Sequence, residues 1–147
     1  MKIETLLDLW TKESKIDDLY LDLEAAKVPS LHARFLTILS KERSKLRALE
    51  TKRKGLIHTL TEYYRGNLNN PEDLKRVDRE PFKLTIIKED QKRHIDADKE
   101  LIALNMKIMY QQELVDVSSE IMKSINNRSF YLRDAIEWRK LTQFGVG

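Results

Sequence analysis

Cysteine is absent from this 147-residue chain, and glycine and proline are scarce at four and three. Without thiols there are no disulfides, thiolate metal sites or cysteine nucleophiles, a composition that suits a reducing compartment. With so few turn formers, hairpins and a many-stranded sheet are not expected. Long apolar runs are missing too. The N-terminal MKIETLLDLWTKESKIDD carries charge throughout, so neither a secretory leader nor a membrane span is expected, and the expected address is cytoplasmic. The motifs of catalysis are equally thin. No GxxxxGK[ST] offers a phosphate cradle. His32, His58 and His94 lie far apart with no carboxylate at metal-site spacing. Asp96 and Asp98, two residues apart on an expected helix, face different ways. The expectation is no enzyme, no metal and no cofactor.

What the chain does have is charge, at 35% of residues, set among strong helix formers. That combination predicts an all-α protein in one domain, 1–147, short on core and so inclined to assemble. Leu6, Leu7 and Trp10 predict a short helix over 3–14, and Asp17 or Asp18 would cap another through Ala26. Pro29 predicts a break, after which a long helix runs to Arg65 past only Gly55. Turn residues fill 66–81, and Phe82 to Ile87 reads as extended. A second long helix is expected from Glu89 to Ile125, interrupted at Asn126-Asn127. An amphipathic helix from Ser129 to Phe144 would close the chain, dividing it into 1–127, the basic and core helices, and 128–147.

The net charge of +3 is unevenly spread. Residues 1–30 hold four basic and seven acidic side chains, whereas 31–80 hold twelve against seven. The positive field therefore belongs to the first long helix and the loop after it, and such asymmetry points to a partner. At about 100° per residue, Leu31, Phe35, Ile38, Leu46, Leu49, Leu56 and Leu60 form one buried stripe. Arg34, Lys41, Lys45 and Lys52 flank it on one shoulder, and Arg43, Arg47, Lys54 and Arg65 on the other. A solubilising face mixes signs, and these rows do not. Arg53 and Glu42 fall inside the apolar stripe, where a charge needs a partner, so this face is expected to meet another chain or a ligand. Tyr63 and Tyr64 close the helix about 100° apart, so at most one enters the core and the other keeps a free face. Cations with neighbouring rings suit single-stranded nucleic acid gripped by its backbone, with no helix-turn-helix, zinc finger or RNP-like motif to read bases.

On the second long helix Leu101, Leu104, Ile108, Val115 and Met122 make one stripe. Ala103, Tyr110, Leu114, Val117, Ile121 and Ile125 make another, which implies a cover on two sides, one of them a second subunit. The last helix adds Phe130, Tyr131, Ile136, Trp138, Leu141 and Phe144 as an expected oligomer interface.

Three stretches together resemble the UvsY family of recombination mediators of T4-like phages. IDDLYLDLEAAKVPSLHARFL (16–36) is similar in its Ile-Asp start, Glu-Ala-Ala and aromatic–Leu pair. LETKRKGLIHTLTEYYRG (49–66) is similar in its basic pair, apolar turn and Tyr-Tyr-x-Gly, and IMKSINNRSFYLRDAIEWRKLTQFG (121–145) in its Ile-Lys-Ser and aromatic terminal helix. The resemblance implies a non-enzymatic protein that binds single-stranded DNA as a ring-like homo-oligomer, hexamer or heptamer, in the host cytoplasm. Its other implied partners are a phage RecA-like recombinase, which it helps to load, and the single-strand-binding protein already coating the strand. It also implies assembly through the C-terminal region. Where the family places two basic residues before its tyrosine pair, this chain has His58 and Leu60. The DNA-binding set is therefore Arg43, Lys45, Arg47, Lys52, Arg53, Lys54, Tyr63, Tyr64 and Arg65, with Arg53, Lys54, Tyr63 and Tyr64 carried over most directly. A helical oligomeric scaffold that binds proteins alone is the alternative, and an oligonucleotide-binding assay separates the two.

Overall fold

The computed structural model describes residues 1–143. The protein is all-α: α1 (Ile3–Glu13), α2 (Leu21–Tyr64), α3 (Pro71–Val77), α4 (Lys88–Asp96) and α5 (Lys99–Gln143), with no strand among the described residues. Phe144, expected in the assembly surface, lies outside those residues.

The expected breaks at Pro29 and at Asn126-Asn127 do not occur. Proline removes an amide donor and crowds the carbonyl four residues earlier. Here Pro29 and Ala25 are both exposed, so that carbonyl lies on the solvent side and α2 runs on. Asn126 and Asn127 are exposed within α5, where poor helix propensity is a small penalty against the packing of the turns on either side. The interruption falls instead at Ala97-Asp98. The Asp98 carboxylate accepts from the amides of Glu100 (3.0 Å) and Leu101 (3.3 Å), capping α5 through its side chain.

Two stops are made by left-handed residues. Gly66 (φ +80°) ends α2, its amide and that of Asn67 closing on Tyr63 and Glu62 carbonyls. Asp78 (φ 54°) ends α3. The stretch read as turns thus contains a helix, opened by Asn70, whose side chain accepts from the Asp73 amide at 2.8 Å, and by Pro71 in its first turn.

The chain forms two units, Met1–Ser44 with Gln111–Gly147, and Lys45–Tyr110. The first packs α1 with the N-terminal part of α2 and the C-terminal part of α5. Leu6, Phe35, Leu114, Ile125 and Leu132 are fully buried there, and Trp10 meets Phe35 edge-on at 5.3 Å. Val115 and Met122 of one α5 stripe and Leu114, Ile121 and Ile125 of the other are all buried within the chain, so at these positions neither stripe waits for the second subunit expected to cover one of them. Buried polar groups are matched. Gln111 donates to the Glu42 carboxylate (2.7 Å) and carbonyl (2.9 Å). Arg128 donates to the carbonyls of Ser14 (3.1 Å) and Lys15 (3.3 Å), the free end of α1.

The second unit holds the rest of α2, α3, a stretch without regular structure at 79–87, α4 and the start of α5. Its buried apolar set is smaller: Leu46, Leu60, Tyr63, Leu101 and Leu104.

Candidate nucleic-acid interface

The long basic helix forms because little in it opposes one. Gly55 is the sole glycine of α2, and an added Cβ there would meet nothing within 4 Å. On the formed helix Arg43, Arg47, Lys52 and Lys54 are exposed, and none pairs with another described residue. Lys45 is exposed as well. Between the two shoulders runs an exposed strip of short or uncharged residues, Ala48, Thr51, Gly55 and His58, which leaves room for a backbone to approach both rows. Arg34, at the head of one row, is already answered by Glu13 at 2.6 Å. Arg65 lies beyond the other, reaching Gln91 (3.4 Å) and Glu62 (3.9 Å).

The two charges on the apolar stripe do not wait for another chain. Arg53 is half-buried and donates to the Asn105 side chain at 2.7 Å. Glu42, 3% exposed, is met by Gln111 and lies 4.0 Å from the N-terminal ammonium. A buried charge is tolerated when its lone pairs or protons are filled, and here residues of the same unit fill them. Arg53 therefore stands apart from its neighbours Lys52 and Lys54, which point outward.

The tyrosines are also enclosed, contrary to the free face expected for one of them. Tyr63 is 8% exposed, donates to the Glu80 carbonyl at 2.6 Å and lies under the Arg79 guanidinium at 5.0 Å. Tyr64 is half-buried, with its ring against Tyr63 (5.1 Å), Phe82 (4.9 Å) and His94 (5.5 Å). The cause is the stretch after α3, which folds back and lays Phe82 and His94 over the helix end. Sequence spacing on α2 alone carries no sign of that return.

Behind the rings lies a polar cluster that sequence reasoning missed. Arg79 grips Asp98 with two bonds, 2.6 and 2.9 Å, and reaches Glu100 at 3.0 Å, while the Tyr64 hydroxyl donates to Asp98 at 2.7 Å. Burial works to raise the Asp98 carboxyl, but donation from Arg79 and Tyr64 outweighs it and holds the group at about 2. Donation to Asp98 raises Arg79 above its ordinary value. Burial, then the neighbouring carboxylate, raises Tyr64. The available signal was Asp98 standing just before Lys-Glu-Leu, an N-cap position, which was read as mid-helix.

At the far end of α5, Phe130 (57%), Tyr131 (56%), Trp138 (69%) and Leu141 (52%) all face solvent, whereas Ile136 is half-buried. A further exposed row, Ile102, Met106 and Met109 on α5, went unremarked in the sequence because the two-stripe reading passed between its members. Among the described residues no group of three or more His, Cys, Asp or Glu is placed to hold a metal ion, and no helix is long and apolar enough to cross a membrane.

Fold and surface define a class, an all-α protein built on two long helices, one of them basic along both flanks. Within that class, residues 9–145 match the family described as recombination, repair and ssDNA binding protein UvsY, and the chain belongs to it. Recombination protein uvsY of Enterobacteria phage T4 is 24% identical over 140 residues, covering 95% of this chain and 96% of that one. Two crystal structures of the bacteriophage T4 recombination mediator protein UvsY share the fold. One, lattice type IV, has TM-score 0.84 at 22% identity, covering 96% of this chain and 99% of that one. The other, lattice type II, has TM-score 0.83 at 24% identity, covering 100% and 99%.

Proposed function

We propose that the protein holds single-stranded DNA along α2 and helps a phage RecA-like recombinase load onto strand already coated by single-strand-binding protein. The observation that carries this reading is the set of exposed cations on α2, Arg43, Arg47, Lys52 and Lys54, none answered by a described residue, in a chain of a single-stranded-DNA-binding family. Phosphates would be met by these side chains and by Lys45 and Arg65. Contacts to phosphate fix the strand without reading its sequence. Arg53, Tyr63 and Tyr64 act behind them, Arg53 through Asn105 on α5 and the tyrosines by holding the helix end in shape.

Each copy offers only a few cations, and a ring-like oligomer, hexamer or heptamer, would present many at once. Binding at one copy raises the effective concentration of strand at the next. The segment 128–147 is the assembly handle in this reading, through Phe130, Tyr131, Trp138 and Leu141, which the chain itself leaves uncovered. The protein performs no catalysis of its own and works in the host cytoplasm.

Recombinase filament growth on single-stranded DNA precoated with single-strand-binding protein tests the proposal. The protein should shorten the lag, and the triple variant Arg47→Ala, Lys52→Ala, Lys54→Ala should restore most of it. An unchanged lag with the parent protein would contradict the loading role.

A further inference from the structure

The rings beside the basic helix are spent on internal contacts, so a strand following the Lys52 shoulder meets a different surface. A groove of about 330 Å³ opens there between α2 and α3, lined by Leu56, Thr59, Leu60, Arg76 and Val77 together with Arg79 and Glu100. Its floor is apolar: Leu60 is fully buried, and Leu56 and Val77 are half-buried. The two arginines differ sharply. Arg79 is 18% exposed and bonded to Asp98 and Glu100. Arg76 is 71% exposed and has one partner, Asp73 at 3.3 Å on its own short helix, a pairing of the kind that contributes little. Lys52 stands one helical turn before Leu56, on the shoulder that borders its stripe.

An apolar floor, an exposed guanidinium held only by a surface ion pair and an ammonium one turn away fit one nucleotide of a single strand. Bases stack on guanidinium planes as well as on aromatic rings, and phosphate is the natural partner of the lysine. Within the lining the Glu100 carboxylate disfavours phosphate, which leaves the backbone to Lys52. We infer that the α2–α3 groove is a base-binding subsite for single-stranded DNA, with Arg76 closing over the base and Lys52 holding its phosphate. The inference rests on the reading of α2 as the DNA-holding helix and adds to it a stacking residue outside that helix. Thr59 is the one neutral polar side chain of the lining, and its hydroxyl both donates and accepts, so the subsite takes any base.

Fluorescence anisotropy with a thymine oligonucleotide and an abasic strand of equal length, at one salt concentration, tests it. The parent protein should prefer the base-bearing strand. Arg76→Ala should reduce that preference by roughly fivefold to a hundredfold, the span of one base stack. Arg76→Lys, which keeps charge but not the plane, should lose the preference and keep the salt dependence. Lys52→Ala should weaken both strands alike. If the parent shows no preference, or if both Arg76 variants retain it, the subsite is overturned, and a loss with Lys52→Ala would still leave the helix grip standing. If Lys52→Ala changes neither affinity, the reading of α2 falls and the subsite with it.

Discussion

Phe35, Leu6, Leu114, Ile125 and Leu132 lie fully buried in the first unit, whereas the second has only Leu60 and Leu101 at that depth. The second unit makes up the difference with rings and ions, in the Tyr63–Tyr64–Phe82–His94 cluster and the Arg79–Asp98 pair. The charge balance differs in step. Lys45–Tyr110 holds fifteen basic and eleven acidic residues, and the remainder of the chain twelve and thirteen. A helix that keeps both shoulders cationic has only a narrow stripe left to bury, so the unit around it has the smaller apolar core and leans on its ring cluster and the Arg79–Asp98 pair, whereas the first unit has the larger apolar core and buried polar groups such as Glu42 and Arg128 besides.

The largest effect that would sharpen this contrast is in the first unit. Phe35→Ala should lower unfolding free energy by about 3–5 kcal/mol in denaturant titration. A loss under 1 kcal/mol would mean that the apolar core is not what holds the unit. Next comes Asp98 in the second unit. Its carboxyl is held at about 2 against an ordinary 3.8, so its contribution is present above about pH 4 and is lost as pH falls through 2. That shift corresponds to about 2 kcal/mol. Asp98→Asn should lower stability at neutral pH by at least that and give a shallower acid limb between pH 4 and 2, and an acid limb identical to the parent's would contradict the assignment. Gly55→Ala follows, and should raise stability by about 0.5–1 kcal/mol, because the site is exposed helix interior with open space for a methyl group. The smallest change in stability, within about 0.5 kcal/mol, is expected for the pair Trp138→Glu and Leu141→Glu. If the proposed assembly runs through them, light scattering should nonetheless show a lower mass than the parent's, and an unchanged mass would remove these residues from the proposed interface. Point variants serve here because deleting 128–147 would also take away buried Arg128 and Leu132.

The helices were legible from the sequence because their apolar stripes repeat over many turns. Phe35, Leu46 and Leu60 were assigned to the core of α2 and are buried. Breaks were harder to place, since Pro29 and the Asn126-Asn127 pair are single-residue signals overridden by packing on both sides, whereas Asp98 acts through a cap that only the folded turn reveals. Of the candidate site, the cation rows were readable from phase alone. The fates of Arg53, Tyr63 and Tyr64 were not, because their partners Asn105, Glu80 and Asp98 lie 17 to 52 residues away in sequence. The Arg76 groove was hidden for the same reason, as α3 comes back to α2 only in the fold.

The comparison comes down to where the strand is held, and the salt dependence of oligonucleotide affinity measures that directly. One variant reverses Arg47, Lys52 and Lys54 to Glu in the second unit, and the other reverses the exposed Lys12, Lys123 and Lys140 in the first. The first should flatten the slope of log affinity against log salt by about 2, at about 0.7 for each lost phosphate contact, while the second leaves the slope near the parent's. Equal loss from both variants, or a full slope kept by the first, would contradict a DNA grip located on α2.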